Sequence, residues 1–372
     1  AYDMAMGTSQ MLGCLTERLQ DVSKDATLTC FGQEFNPETY AIAKADMLIK
    51  GGNASGMKYG DTLSDDAFGG YEFDYVISNP PFGIDWKREK SQVEAEAKRG
   101  YDGRFGPGLP AISDGQMLFM LNGVKKLKEG SGRMAIIQNG SSLFTGDAGS
   151  GASEIRRYLI HEDLVEAIVQ LPTDLFYNTG ISTYIWVLTK GKPMSRSGRV
   201  QLIDASKCFV KRRKNIGSKR VDLDDACIDL ILKAYEGFDQ NEVYTAEDLV
   251  VESKVFENDF FGFTKVTVET AQTDANGKPL LKKGKKLPVK GATDSEIIPL
   301  SDDIDAYMAK NVLPYNPLAY IDPAKDKIGY EIPFTRLFYK FEAPEPSASI
   351  FEDIKALEAK ETVLMKELFG NA

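Results

Sequence analysis

The chain has 372 residues, 45 Lys and Arg against 55 Asp and Glu, and a formal net charge of −10. Length predicts two to three domains, 42% hydrophobic content suffices for a sizeable core, and the acidic balance excludes coating of nucleic acid by bulk charge while leaving room for local basic patches. A single histidine, His161, excludes mechanisms that need two, and Cys14, Cys30, Cys208 and Cys227 form no CxxC pair, so no zinc ribbon, redox motif or other metal site is expected.

In chain order, residues 41–50 are helix-like and Phe73–Ser78 (FDYVIS) is a short β-type run ending in a polar turn. Asp114–Glu129 places Met117, Leu118, Leu121, Val124 and Leu127 at helical spacing. Residues 133–138, 164–172 and 182–188 are β-rich, with a helix-like stretch at 152–160 between the first two. Short apolar runs separated by helices predict a mainly parallel sheet covered on both faces. The 182–188 run follows its predecessor after a turn only, so antiparallel pairing is expected there, and 199–206 extends the sheet. Composition shifts after about residue 235, which predicts a catalytic domain over 1–235 and a C-terminal region over 236–372. Residues 268–299 are polar and Lys-rich around Asp274-Ala275-Asn276-Gly277, a surface hairpin or a mobile loop. Ile350, Ile354, Leu357, Leu364 and Leu368 form a narrow apolar stripe interrupted by Glu361. Ser347 or Ser349 is the expected cap of that helix and Gly370 its end. The stripe either packs on its own domain or meets a partner.

The chemistry-bearing feature is Asn79-Pro80-Pro81-Phe82, directly after the FDYVIS strand. Two prolines make a rigid, extended turn where open α/β sheets bind ligands. Asn79 offers an amide oxygen, Pro80 a carbonyl and Phe82 an aromatic face. Two acceptors beside one ring suit a planar base with an exocyclic NH₂, and drawing on both N–H bonds makes that nitrogen more nucleophilic. The bland alternative is a proline-kinked turn at a strand end.

Asn-Pro-Pro-Phe resembles the catalytic motif of amino-methylating DNA methyltransferases. The surrounding stretches resemble the modification subunit of type I restriction–modification systems: residues 2–12, 31–51, 60–63, 73–83, 104–119, 132–144, 155–188 and 326–342. The resemblance implies a Rossmann-like, seven-stranded α/β sheet that uses S-adenosylmethionine, followed by a C-terminal helical extension. It implies transfer of methyl to the N6 amine of a flipped adenine in DNA. Asn79, Pro80, Pro81 and Phe82 then form the catalytic turn, and Asp3, Gly7, Thr8, Glu34, Asp61, Leu63 and Asn79 surround the methyl donor. In this assignment Asp3 faces the donor's ammonium, Glu34 its ribose, and Asp61 and Leu63 its adenine. The first motif departs from the family's Asp-Pro-x-x-Gly-[Ser/Thr]-Gly: Met4 replaces Pro, Ser9 replaces the second Gly, and Met6 is bulkier than usual. Normal donor binding is nevertheless the expectation, with a weakened or modified donor site as the alternative. The long Asp3–Glu34 separation implies an inserted loop around Asp21–Thr27.

Phe176, Tyr177 and Asn178 are candidates for a target-base pocket, and core residues otherwise. Arg99–Gln116 is read as a mobile flap over DNA. Lys211-Arg212-Arg213-Lys214 with Lys219-Arg220 either touches phosphate or is a solvated face, and Lys282–Lys290 is a weaker version. Expected partners are DNA, a specificity subunit, a restriction/translocase subunit and a second copy of the chain. Alternatives are cytosine-N4 or protein-glutamine methylation, or a scaffold that lost catalysis. No apolar run reaches the ~20 residues of a membrane span. With few cysteines and no leader, a cytoplasmic protein is expected, and the start at Ala1 reads as a fragment lacking upstream sequence.

Overall fold

The computed structural model describes residues 1–282, 284–341 and 344–370, so Lys283 of the predicted Lys-rich segment, Glu342 of the last matching stretch and the two final residues lie outside it. The first half lays down β1 (Tyr2–Asp3), α1 (Gln10–Val22), β2 (Phe31–Glu34), α2 (Pro37–Ile49), β3 (Met57–Tyr59), β4 (Tyr75–Ser78), α3 (Lys90–Ala97), α4 (Gln116–Lys125) and β5 (Arg133–Asn139). There follow α5 (Ser141–Phe144), α6 (Gly151–His161), β6 (Val165–Gln170), β7 (Thr183–Thr189) and β8 (Arg199–Asp204). Next come β9 (Val210–Ile216), β10 (Lys219–Asp222), α7 (Asp225–Gly237), β11 (Asn241–Ala246) and β12 (Leu249–Glu257).

Strand order in the main sheet is β11-β12-β8-β6-β7-β5-β4-β1-β2-β3. The seven expected strands, β1 to β7, form its heart, and β7 is antiparallel to both neighbours as its short connection required. β8 joins β6 in parallel, and two further antiparallel strands widen the sheet beyond the expected seven. β6 (VEAIVQ) is buried on both faces over its first five residues, the pattern of a strand covered by helices on both sides. α2 starts where Asn36 Oδ1 accepts from the Glu38 and Thr39 amides, with Pro37 at the first position, a cap worth about 1 kcal/mol.

Pairing fixes where ligands can sit. β1, β2, β3, β4, β5, β6 and β8 all run the same way. Their carboxyl ends therefore share one edge, which carries in spatial order Asp61, Glu34, Asp3, Asn79, Asn139, the loop after Gln170, and the hairpin after Asp204. At the opposite end, Tyr2, Phe31, Phe68, Tyr71 and Phe73 pack ring to ring, with Tyr2 stacked on Phe73 at 4.6 Å.

The remaining strands are β13 (Gly262–Ala271), β14 (Leu281–Lys282), β15 (Lys285–Lys286), β16 (Pro288–Pro299), β17 (Ala319–Ile321) and β18 (Lys327–Tyr330), and α8 is Ile304–Tyr307. β13 and β16 pair from Phe263↔Pro299 to Ala271↔Pro288, so the Lys-rich segment is a hairpin. The chain separates into two units, 1–333 and 334–372. That division does not coincide with the one expected at residue 235, because β11 and β12 complete the main sheet. The second unit contains α9 (Phe334–Phe338) and α10 (Ser347–Phe369), the helical extension expected at the C-terminus. α10 is exposed except at half-buried Ser349, and Pro346 rather than a serine precedes it, with Gly370 at its end as expected. Among the described residues no helix is long and apolar enough to cross a membrane.

Candidate active site

The loop after β1 carries the altered motif. Gly7 holds φ +55° and Ser9 φ +62°, both in the left-handed region. The backbone path that a second glycine would favour is thus kept, with serine bearing the strain. Ser9 is buried, and its Oγ has no hydrogen-bond partner among the described residues. Met6 packs over Gly32 of β2, whose missing Cβ makes room for the larger side chain. We expect Ser9→Gly to raise stability by about 1 kcal/mol, read from the denaturant midpoint, because it removes a left-handed non-glycine residue and an orphaned hydroxyl together.

Asp3 closes β1 and is 1% exposed. Its Oδ1 accepts from Ser78 Oγ at 2.6 Å and from the Ala5 amide at 3.1 Å. Burial pushes its carboxyl up to about 6, against those two hydrogen bonds, and nearby Glu34 adds to the rise. Ser78 immediately precedes Asn79, so Asp3 ties the first loop to the proline turn. Glu34 closes β2, accepting from the Gly7 amide on Oε2 at 2.9 Å and from the Asn36 amide on Oε1 at 2.8 Å. Thr8 is half-buried beside Gly7.

Asp61 follows β3 and folds its own turn, accepting from the Leu63 amide and Ser64 Oγ, both at 2.9 Å. Thr62 Oγ1 donates to the Met4 carbonyl at 2.5 Å, fastening this turn to the first loop. Leu63 is buried beneath it. Glu89, at the start of α3, faces Asp61, and burial followed by that neighbouring carboxylate holds Glu89 above its ordinary range. Four acids thus gather at this end of the edge.

Asn79 and Pro81 are exposed, Pro80 is buried and Phe82 is half-buried. Among the described residues no hydrogen bond engages the Asn79 amide or the Pro80 carbonyl, so both acceptors stand free. Trp86 pins the segment that follows. Its ring nitrogen donates to the Ala111 carbonyl at 3.0 Å, and its amide reaches the Ile112 carbonyl at the same distance.

The stretch Arg99–Gln116 differs from the expected flap. Arg104 is buried, pairs with Glu96 at 2.6 Å, and donates to the Thr62 and Leu63 carbonyls and to Asn122 Oδ1. It braces the Asp61 turn from below and is not a phosphate contact. Burial alone would raise the Glu96 carboxyl, but hydrogen bonds from Arg104 outweigh it and hold Glu96 below its ordinary range. Arg104→Ala should cost about 3–5 kcal/mol in chemical denaturation, since it strands a carboxylate and two carbonyls. Arg104→Met should cost less.

Sequence reasoning missed the residues that lock these loops together. Gln33 on β2 donates to the Asp65 carbonyl at 2.6 Å and accepts from the Ala67 amide, and Ser78 couples Asp3 to the turn. Beyond the turn, Gln116, Asp114, Asn139 and Ser141 form one hydrogen-bonded cluster at the end of β5. A polar residue at or next to a strand's carboxyl end was the available signal for Gln33, Ser78 and Asn139, whereas Asp114, Gln116 and Ser141 sit at helix starts. Of the base-pocket candidates, Phe176 is half-buried while Tyr177 and Asn178 are exposed, all on the same edge three strands from Asn79.

The family model described as N-6 DNA Methylase matches residues 1–276. The chain is 28% identical over 218 residues to the type I restriction enzyme MjaIX methylase subunit of Methanocaldococcus jannaschii, covering 58% of this chain and 38% of that one. It is 28% identical over 318 residues to the HindI methylase subunit of Haemophilus influenzae, covering 84% and 67% respectively. Among solved structures, a type I restriction-modification methyltransferase subunit from Streptococcus thermophilus superposes with TM-score 0.56 at 29% identity, covering 70% of this chain and 51% of that one. The chain thus spans between about a third and two thirds of the curated relatives' length.

Proposed function

The chain belongs to the N-6 DNA methylase family, and we propose on that basis that it is the catalytic part of a DNA adenine-N6 methyltransferase of type I restriction–modification. The observation that carries this reading is the exposed Asn79 amide, the free Pro80 carbonyl and the Phe82 ring at the carboxyl end of β4. S-adenosylmethionine supplies an electrophilic methyl group on a sulfonium centre. Its cationic character suits the acids Asp3, Glu34, Asp61 and Glu89, which crowd one end of the edge and repel one another without a cation. Glu34 and Asp61 accept hydrogen bonds from the chain on both oxygens, and each oxygen keeps a further lone pair for a ligand hydroxyl or amine.

At the target, Asn79 Oδ1 and the Pro80 carbonyl accept the two N–H bonds of the adenine amine, and Phe82 stacks on the ring. The flipped base cannot be reached inside a duplex, so it is held by this turn outside the stack. The surplus proton leaves to solvent beside exposed Asn79. Positioning does most of the work. The exposed apolar residues of α10, among them Ile354, Leu357 and Leu368, are the docking element for a specificity subunit. A second copy of the chain and a restriction/translocase subunit complete the assembly, in the cytoplasm.

Incubating the full-length protein with its specificity subunit, DNA and labelled S-adenosylmethionine should yield N6-methyladenine by nucleoside mass spectrometry. N4-methylcytosine alone would overturn the substrate, and no binding of S-adenosylmethionine at millimolar concentration would favour the scaffold reading. Deleting residues 347–372 should abolish co-purification with the specificity subunit, and unchanged complex formation would contradict docking through α10.

A further inference from the structure

The basic run at 211–220 forms the β9–β10 hairpin, at the end of the sheet edge opposite the acids. The hairpin is fastened to the loop after β6. Ser218 donates its amide to the Tyr177 carbonyl at 2.9 Å, and the Arg220 amide reaches the Asp174 carbonyl at 2.8 Å. Lys219 Nζ lies 5.2 Å from the centre of the Tyr177 ring. Gly217 turns the hairpin at φ +58°, and a Cβ there would stand 2.6 Å from the Tyr177 carbonyl oxygen, so the approach requires glycine.

Its charges are sorted. Asp222 pairs with Arg212 at 2.5 Å and with Lys219 at 3.0 Å, and these hydrogen bonds hold its carboxyl below the ordinary range. Lys211, Arg213, Lys214 and Arg220 are exposed and have no ion pair among the described residues. Four unpaired cations on one hairpin are a marked local excess in a chain of net charge −10. Strands lie ~4.8 Å apart, so β6 and β8 stand about 14–19 Å from β4, or about four to six nucleotides at 3.4 Å each.

We propose that the β9–β10 hairpin grips the phosphate backbone of duplex DNA several nucleotides from the target base, and that its bonds to Asp174 and Tyr177 carry that contact to the loop after β6. This rests on the DNA-methyltransferase reading and adds the surface that holds the duplex. The hairpin's two ion-paired cations serve its fold, and its four unpaired ones serve the ligand.

The test uses the full-length protein with the subunits that co-purify with it, and a fluorescein-labelled 30-base-pair duplex of random sequence. Affinity is measured by anisotropy across a salt series for the wild type and for the Lys211→Ser, Arg213→Ser, Lys214→Ser, Arg220→Ser variant. Each phosphate contact contributes about 0.9 to the slope of log affinity against log salt, so the slope should fall by about 3 to 4. KM for DNA should rise while kcat and S-adenosylmethionine affinity hold. A control variant, Lys125→Ser with Lys128→Ser, removes exposed cations ahead of β5 on the opposite edge and should leave the slope unchanged. An unchanged slope in the hairpin variant, an equal loss in the control, or dissociation of the partner subunits would overturn the proposal. If the hairpin variant behaves as wild type while methylation still depends on Asn79, the proposal alone fails. If the wild type methylates no DNA, the underlying reading fails.

Discussion

Asn79→Ala is expected to lower methylation about 10³-fold while leaving the protein folded and S-adenosylmethionine affinity little changed. The structure makes this a clean experiment. Asn79 is exposed and its amide makes no internal hydrogen bond among the described residues, so its removal strands no buried partner. The stability change should stay within about 0.5 kcal/mol, as for surface positions without special contacts. The loss then belongs to the base, whose amine keeps one acceptor of two and the wrong orientation of its lone pair. Phe82→Ala should act differently. Stacking on one base is worth about 1–3 kcal/mol, so its cost appears largely in KM for DNA. Single-turnover methylation, donor titration calorimetry and thermal melts separate these effects. A collapse of donor affinity in Asn79→Ala would show that the turn holds both ligands and that the division of roles is wrong.

What the sequence disclosed follows from how local each feature is. The FDYVIS strand and its proline turn were legible because both are written in neighbouring residues. The antiparallel β7 was legible from its short connection, and β8 from its apolar run. The role of Arg104 was not. In sequence it sits among glycines and prolines and resembles a mobile arginine, but its partners Thr62, Leu63 and Asn122 lie 18 to 42 residues away. β11 was hidden because it is a polar sheet edge that exposes Asn241, Glu242 and Val243, while only Tyr244 and Ala246 pack on the core and its order comes largely from backbone pairing with β12. The Ser9 substitution suggested a damaged loop, because sequence shows the lost glycine and not the left-handed backbone that serine nevertheless holds. The polar cluster around Gln116 joins residues up to 27 apart and becomes visible only when β5 sits beside the helix start.

Asp3→Asn is expected to stabilise the protein without its methyl donor and to weaken donor binding, and the two effects have one cause. Burial raises the Asp3 carboxyl to about 6, roughly two units above its usual value, which corresponds to about 3 kcal/mol at neutral pH. The folded state binds this proton more tightly than the unfolded chain, so the associated stability is complete below about pH 4 and is lost as pH rises through 6. At pH 7.5 the wild type therefore holds a buried carboxylate that its two hydrogen bonds compensate only in part. Asparagine removes that charge and can still accept from Ser78 and the Ala5 amide through one oxygen. Its melting temperature at pH 7.5 should rise by several degrees and vary less between pH 5 and 7. A cationic donor reverses the balance, since it prefers the ionised carboxylate. Wild-type affinity for S-adenosylmethionine should thus fall as pH drops through 6, while the variant binds more weakly at pH 7.5 and with a flatter profile. Glu89, also raised by burial and by Asp61, accounts for the pH dependence that remains in the variant. Calorimetric titrations from pH 5.5 to 8 and paired melts decide the matter. A variant that melts lower at pH 7.5, or that keeps the wild-type pH profile for donor binding, would show that the Asp3 charge is already compensated in the folded chain.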